Sequence, residues 1–295
     1  MAWRTGIVAA VLLGTVLAPF ERSAAQELPQ PTPDTKKPEL FQLNAKVGGL
    51  TYSYKEESAV VSSRFNGKVG LAEIMGSLRL MDRLRFVLTA TGALTGTDTE
   101  EATRSVNATG GLGPSQQEND LDLSLFIVEP GFRYRVLQLP NLDLDAILGW
   151  GAVFMTTERS NIIIDGVPQP GKFEESFTGH GPHVGASARF TIPALPPKLS
   201  FLLEAMYTNY FGVNVDSDFL NQEAFTRGFG LKWNVGFMYQ VTSNFNFGFG
   251  YQGMLLEFDR SDREPAKVGF MRSDGQVPGN TSRADALYVS LNWKF

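Results

Sequence analysis

The feature that most constrains this chain is an alternation of apolar and polar residues with a period of two, repeated along most of its length. From Phe41 to Phe295 the pattern recurs in about ten segments, and no apolar run there approaches the length of a membrane-spanning helix. Successive side chains of a strand point to opposite faces, so each segment presents one apolar face and one more polar face. The pattern therefore predicts an all-β fold.

The alternating segments average about 10 residues, whereas strands of soluble sandwiches average nearer 5 to 6. They cover residues 41–54, 72–80, 84–90, 121–136, 142–154, 184–192, 199–207, 231–241, 245–251 and 287–295. Tilted strands of about 9 to 11 residues cross a bilayer, and only a closed barrel satisfies every backbone group there. Aromatic residues also gather near the segment ends, as in interfacial girdles. We therefore expect a transmembrane antiparallel β-barrel of ten strands, with eight or twelve strands left open.

The connections between the segments alternate in length. The short ones are 81–83, 137–141, 193–198 and 242–244, and the long ones are 55–67, 97–120, 157–177, 212–226 and 259–283. Short periplasmic turns and long outer loops are typical of outer-membrane barrels, and starting and ending on the short-turn side requires an even strand number. The long connections carry a net negative charge, which suits divalent cations, lipopolysaccharide phosphates or a surface partner.

In two segments the apolar phase changes part of the way along. The first segment changes phase after Gly48 and Gly49, so that Tyr52 and Tyr54 continue the apolar series. The fourth changes phase near Pro130. A β-bulge adds one residue and flips the phase, and proline is tolerated at bulges, so both sites are predicted bulges.

The N-terminus predicts secretion. Arg4 precedes the uncharged run Thr5–Phe20, and small residues follow at Ser23–Ala25. This apolar run is shorter than the ~20 residues of a membrane-spanning helix, which favours a signal peptide over residues 1–25. The proline-rich stretch 26–40 is expected to be a disordered periplasmic leader, and residues 41–295 to be the barrel.

Composition removes several function classes. The chain has no cysteine, two histidines and a net charge of -5 in 295 residues. Disulfides, thiol chemistry and Cys-ligated zinc are therefore excluded, and nothing indicates a nucleic-acid partner or a cofactor. His180 and His183 are three residues apart, so in a strand they point to opposite faces. An omptin-type protease would require acidic residues beside a histidine, but no acidic residue lies within two positions of either histidine. We therefore expect no enzyme.

The last strand carries a resemblance to a known class of proteins. It has apolar residues at every second position and a terminal phenylalanine, namely Leu287, Val289, Leu291, Trp293 and Phe295. This pattern resembles the assembly signal of bacterial outer-membrane β-barrel proteins. The resemblance implies passage through the periplasm with chaperones, insertion by the barrel-assembly machinery, and a bilayer containing lipopolysaccharide. It supplies no function, because small barrels of this class have many.

The polar phase of the strands predicts a charged lumen. Eight basic and six acidic residues fall there, a net of about +2: Lys46, Arg79, Arg85, Arg133, Arg135, Arg189, Lys232, Lys294, Glu73, Asp122, Glu129, Asp143, Asp145 and Glu204. Buried charges at this density must largely pair. A paired network that plugs the barrel and a thin aqueous path with modest anion preference both remain open.

Three functions are carried forward from the sequence. The leading hypothesis is a structural barrel or narrow passive pore. The first alternative is a surface adhesin or receptor whose ligand site is on the long extracellular loops. The second is a loop-borne hydrolase.

Overall fold

The computed structural model describes residues 39–57, 61–95, 98–106, 112–191, 199–218, 220–265 and 276–295. The expected signal peptide and nearly all of the expected leader, residues 1–38, lie outside the described residues, as does the predicted turn 193–198. Among the described residues, no helix is long and apolar enough to cross a membrane.

The described residues form thirteen β-strands. Their bounds are β1 Phe41–Glu57, β2 Val61–Gly67, β3 Val69–Arg79, β4 Leu84–Thr95, β5 Asp98–Val106, β6 Leu112–Leu139, β7 Leu142–Ile164, β8 Val167–Pro168, β9 Phe173–Thr191, β10 Leu199–Ser217, β11 Ala224–Gln240, β12 Phe245–Phe258 and β13 Gly279–Lys294.

Ten of these strands close into an antiparallel ring. Its order is β1, β3, β4, β6, β7, β9, β10, β11, β12 and β13, and β13 pairs with β1 to complete it. The closing seam runs from Gln42 opposite Lys294 to Glu57 opposite Gly279. A closed ring leaves no strand edge, which is what lipid requires. The predicted ten-stranded transmembrane β-barrel is confirmed.

The wall of the barrel rises well beyond the height of a membrane. Strand β6 has 28 residues and β7 has 23, against the roughly 9 to 11 that cross a bilayer. Strands β2 and β5 continue the lines of β3 and β4, pair with each other, and join β1 and β6 respectively. Much of what the sequence predicted as long loops is therefore strand, because alternation continues there with smaller and more polar residues.

The outer surface divides the barrel into two parts. Near the short turns, outward-facing side chains are apolar and exposed, for example Val47 at 60% and Leu287 at 58%. We call this part the lower half: residues 41–50, 69–79, 84–95, 125–139, 142–154, 180–191, 199–211, 229–240, 245–255 and 287–294. Beyond it most outward positions are polar, as at Thr51, Lys55 and Ser124, although Phe225 is 57% exposed. We call the strand segments beyond the lower half the upper section.

Neither predicted bulge is present. Strand β1 keeps an unbroken register with β3 and β13 through Gly48 and Gly49, and β6 keeps one with β4 through Pro130. The two glycines instead allow close strand approach, since a Cβ at Gly48 would lie 2.1 Å from the Leu287 carbonyl oxygen. The apolar residues beyond both sites consequently point inward, and it is the lumen that changes polarity.

An apolar core fills the lumen of the upper section and of the adjoining end of the lower half. Phe177 and Phe258 stack there with ring centroids 5.4 Å apart, and Tyr210 contacts Phe258. Tyr52 and Tyr54, which the predicted bulge would have placed outside, belong to this core. The remaining members come from strands around the ring and include Phe65, Leu121, Leu123, Leu125, Ile127, Val153, Met155, Val213, Val215, Met254 and Leu256.

Candidate functional site

The lumen of the lower half is crossed by a layer of buried ion pairs. Glu73 on β3 accepts from Lys46 at 2.7 Å and from Lys232 at 2.8 Å, and Lys232 also reaches Glu129 at 2.9 Å. We call these four residues the central layer. Lys46 lies directly opposite Glu73 on the neighbouring strand β1. Strand β11 is not a neighbour of β3 or β6 in the ring, so the two pairs of Lys232 span the lumen.

Polar side chains complete the central layer. Thr91 and Gln252 each donate to Glu73 at 3.1 Å, and Lys232 reaches the Thr91 hydroxyl at 3.2 Å. Strands β4 and β12 are thereby tied into the same layer. An isolated ion in a low-dielectric interior costs several kcal/mol, so this mutual pairing allows four charges to remain buried together.

Nearer the short turns the lumen holds an arginine cluster: Arg79, Arg85, Arg133, Arg135 and Arg189. Arg133 pairs with Glu204 at 2.5 Å and Arg135 with Asp145 at 3.6 Å. Arg79 pairs with Asp82 at 2.7 Å, and the side chain of Asp82 is 94% exposed. Arg85 lies 3.9 Å from Glu39. Arg189 makes no ion pair within the described part of the chain.

A second buried ion cluster lies in the upper section. The Arg159 guanidinium contacts Glu100 at 2.7 Å, Glu175 at 2.9 Å and Glu56 at 3.1 Å. The Tyr54 hydroxyl donates to Glu56 at 2.7 Å. We call Arg159 and its three glutamates the Arg159 cluster. It joins β1, β5, β7 and β9 on the inner face of the upper section.

Electrostatics in the upper section follow from burial and from these contacts. Burial opposes the charged form of Arg159, but Glu100, Glu56 and Glu175 outweigh it and hold the pKa of Arg159 well above its ordinary value. Burial, reinforced by the negative charge of Glu56, raises the pKa of Tyr54 well above the ordinary value of a phenol.

The structure places the predicted lumen residues as follows. Inward-facing strand positions hold Glu73, Arg79, Arg85, Glu129, Arg133, Arg135, Asp143, Asp145, Arg189, Glu204 and Lys232. Asp122, which the sequence predicted to lie in the lumen, does not lie there. With no bulge at Pro130 its strand position faces outward, so the lower lumen carries eight basic and five acidic of the predicted residues, a net of +3 rather than +2.

Sequence reasoning missed the Arg159 cluster. Glu56, Glu100, Arg159 and Glu175 all fell in segments interpreted as long loops. A signal was present, because Tyr52, Tyr54 and Glu56 continue one strand face, as do Glu175 and Phe177. When one face of a strand carries both apolar and charged residues, hydropathy alone does not reveal the strand.

The two histidines lie on opposite faces of β9, as predicted. His180 is on the outer surface, stacked on Trp150 with centroids 5.8 Å apart and packed edge-on against Phe211. His183 is inward and 2% exposed, and its Nδ1 atom has no hydrogen-bond partner. Within the described residues, neither histidine forms a hydrogen bond or ion pair with a carboxylate, and no group of three potential metal ligands occurs.

The terminal strand has the geometry that its sequence pattern predicts. Its apolar phase faces outward, with Leu287, Val289, Leu291 and Phe295 exposed. Trp293 packs on Phe245 with centroids 5.4 Å apart. Lys294 faces inward and pairs with Glu39 at 2.8 Å.

Comparison with known proteins adds information on the fold. The chain matches no protein-family model and no curated protein. It is similar to the solved structure of the outer membrane protease OmpT from Escherichia coli, with a TM-score of 0.60 and 12% identity over 91% of this chain and 99% of that one.

Other solved barrels superpose less well. The transport unit of the autotransporter AIDA-I from Escherichia coli gives a TM-score of 0.39 at 12% identity, covering 90% of this chain and 93% of that one. The translocator domain of the autotransporter NalP from Neisseria meningitidis gives 0.37 at 10% identity, covering 88% and 90%. Identities this low speak to architecture alone. The chain has the fold of a bacterial outer-membrane β-barrel protein.

Proposed function

We propose that this protein is a closed outer-membrane barrel that anchors a rigid extracellular section and does not act as a pore. One observation carries the proposal: the lumen is crossed by the central layer and filled above it by the apolar core. The leading hypothesis from the sequence contained a structural barrel and a narrow pore, and the geometry favours the structural barrel.

An ion moving through the lumen would meet two barriers of different kinds. It would first have to separate the pairs of Glu73, Glu129 and Lys232, whose side chains are at most 11% exposed. It would then have to cross an apolar core packed with side chains such as Phe177 and Phe258. A hydrophobic constriction stops ions by excluding water, so the second barrier is the higher one.

The proposal includes an orientation. In barrels of this class the short turns face the periplasm. The leader would then lie in the periplasm and the upper section would stand outside the cell, above lipopolysaccharide. Passage with periplasmic chaperones and insertion by the barrel-assembly machinery belong to the same proposal.

A second candidate, a surface adhesin or receptor, is favoured by the outer wall of the upper section. Asp122 on β6 is directly opposite Glu158 on β7, and Glu158 is directly opposite Glu174 on β9. Like charges placed directly opposite destabilise a sheet. Lys172 of this chain pairs with Glu158, and a row of this kind suits a ligand with similar basic groups. The third hypothesis, a hydrolase, gains no support from the surroundings of His180 or His183.

Planar-bilayer recording tests the proposal. The refolded protein, checked by its heat-dependent gel mobility, should give no stable unitary current. Reproducible unitary currents would overturn the closed barrel if they change in size when Glu73 and Lys232 are both changed to Ser. The matched control changes Glu257 and Arg283, on the outer wall, to Ser and should leave any current as it was.

A further inference from the structure

The arginine cluster places like charges side by side. Arg79 is directly opposite Arg85 across β3 and β4, and Arg85 is directly opposite Arg133 across β4 and β6. Like charges in directly opposite positions are destabilising. Three neighbouring strands thus present a row of guanidinium groups to the lumen at the short-turn mouth.

Neutralisation of this row is incomplete at Arg85. Within the part of the chain that the structure describes, its one ion-pair partner is Glu39 at 3.9 Å, beyond hydrogen-bond distance. Glu39 is already engaged by Lys294 at 2.8 Å and by Gln42 at 2.6 Å. The Nη1 atom of Arg85 is buried without a hydrogen-bond partner. A buried donor left unsatisfied costs about 1 to 3 kcal/mol.

Arg189 is less neutralised still. It lies directly opposite Asp143 across β9 and β7, yet no ion pair joins the two side chains. Its Nε atom is buried without a partner, and it lies within electrostatic range of Arg133 and Arg135. Arg189 therefore adds to the repulsion in the cluster and holds donors that no described acceptor uses.

The acidic residues of the mouth do not cancel this charge. Among the described residues, four carboxylates, those of Asp145, Glu204, Asp143 and Glu39, face six cations there, the five arginines and Lys294. Asp82 is almost fully in solvent. The excess of two positive charges is concentrated where Arg85 and Arg189 lack close partners. A small anion with several acceptor oxygens would satisfy both the charge and the free donors.

The mouth is accessible from one side only. The side chains of Arg133, Arg85, Arg79 and Arg135 remain 16%, 18%, 26% and 27% exposed. Farther in, the central layer crosses the lumen. The cluster therefore lines a blind vestibule that a solute enters and leaves by the same opening.

We propose that this vestibule binds an oxyanion, the phosphate or carboxylate group of a solute on the short-turn side. The planar guanidinium fork matches both groups, and the forks of Arg85 and Arg189 lie within electrostatic range of each other. Two such forks favour a planar or tetrahedral oxyanion over a spherical ion such as chloride. Arg85 and Arg189 supply free donors, and Arg79, Arg133 and Arg135 line the same mouth.

Calorimetric titration of inorganic phosphate into the refolded protein in maltoside detergent tests this. Phosphate should bind with a heat that sodium chloride of equal ionic strength does not reproduce. The double variant Arg85→Gln, Arg189→Gln should lower the affinity at least tenfold. The control double variant Arg64→Gln, Arg283→Gln removes the same charge from the outer wall and should bind as the unchanged protein does.

A thermal measurement guards against misfolding of the double variant. Phosphate should raise the temperature at which the unchanged protein loses its folded gel mobility, and should not raise it for Arg85→Gln, Arg189→Gln. Removing repulsion should also make that variant at least as heat-resistant as the unchanged protein without phosphate. Equal phosphate effects in both proteins, or an effect matched by chloride, would overturn the proposal.

A parallel titration with succinate identifies which source of oxyanion is preferred. Tighter phosphate binding points to phosphorylated solutes, and tighter succinate binding points to carboxylated ones. Failure of both ligands overturns the site. None of these outcomes depends on conductance, so the test is independent of whether the barrel is closed.

Discussion

The lower half and the upper section of the barrel have opposite polarity. In the lower half the outside is apolar, with Val47 and Leu287 exposed, and the inside holds the charges of the central layer. In the upper section the outside is mostly polar, and the inside holds most of the apolar core together with the Arg159 cluster. Each part places its apolar groups away from water. The height at which the outer surface changes from apolar to polar therefore marks where lipid ends and water begins.

Strand β6 shows that the inversion needs no change of face. Glu129, Ile127 and Leu125 are successive inward residues, and the side chain type changes from charged to apolar along them. On the outward face the residue type changes from apolar to polar between Phe126, which is 46% exposed, and Ser124. Both changes occur within a few residues of each other. A single strand can therefore pass from lipid to water while each of its faces keeps its direction.

The largest expected effect comes from putting a charge into the interior of the upper section. Leu123→Lys places an unpaired ammonium in the apolar core, where Leu123 is buried, and should lower the free energy of unfolding by more than about 4 kcal/mol. Ser124→Lys, one residue along on the polar outer face, should change it by less than about 0.5 kcal/mol. Urea unfolding followed by tryptophan fluorescence gives both values. Similar losses for the two variants would mean that the upper section is not inverted.

The next effect concerns the Arg159 cluster. Arg159→Ala leaves Glu56, Glu100 and Glu175 without their shared cation and should cost about 3 to 5 kcal/mol. The upper section should also become sensitive to protease before the lower half unfolds. The control is Arg64→Ala, an exposed arginine on the outer wall of β2, which should have little effect. Unchanged protease resistance in Arg159→Ala would show that the apolar core alone holds the upper section.

A smaller effect is expected on the lipid side. Val47→Lys puts a charge on the outward face of the lower half and should cost about 2 to 4 kcal/mol, the range for a cation near the bilayer midplane. Thr51→Lys lies on the same face of β1 beyond the lower half and should be nearly neutral. Unfolding in phospholipid vesicles measures both. A neutral Val47→Lys would place the membrane elsewhere along the wall.

The smallest effect is a pH dependence. The pKa of Tyr54 is raised in the folded protein, while an exposed tyrosine has a pKa near 10. Above about pH 10 the unfolded chain loses a proton that the folded protein keeps, so stability that is complete at lower pH is lost as pH rises. Tyr54→Phe should therefore show a shallower alkaline decline, at a cost of about 1 kcal/mol near pH 7 for the lost hydrogen bond. Identical alkaline slopes would show that Tyr54 does not titrate differently in the two states.

The strand count and the lower lumen were predictable because lipid enforces a strong signal. On β13, Leu287 to Phe295 must be apolar at every outward position, and the charges between such positions had to face inward. The upper section was not predictable in the same way. In the segments interpreted as loops, outward residues such as Lys55 and Gln116 are polar, and several inward residues are polar as well. The alternation of apolar and polar residues is therefore weak there and resembles loop sequence.

The two wrong bulges have a common cause. At Gly48 and at Pro130 the apolar residues move from one strand face to the other. Under the rule that apolar residues always face lipid, a bulge would be needed at each site to turn the strand. The rule fails where the lumen itself becomes apolar. Pairings across the lumen, such as Lys232 with Glu129, were likewise beyond sequence reasoning, because periodicity gives the face of a residue and not its height relative to strands across the ring.

The seam between β1 and β13 also bears on how the barrel forms. It joins Gln42 to Lys294 and seats the backbone N–H groups of Leu40 and Phe41 on the Phe295 carbonyl. Among the described residues these contacts have the highest sequence separation, and contacts of that kind are slow to form. Every other neighbouring pair in the ring is joined by a local connection, so the seam is the natural last step of closure. Because the two seam strands meet at the short-turn mouth, a circular permutant that links them there and opens another connection would keep the ring intact and merely move the late step elsewhere.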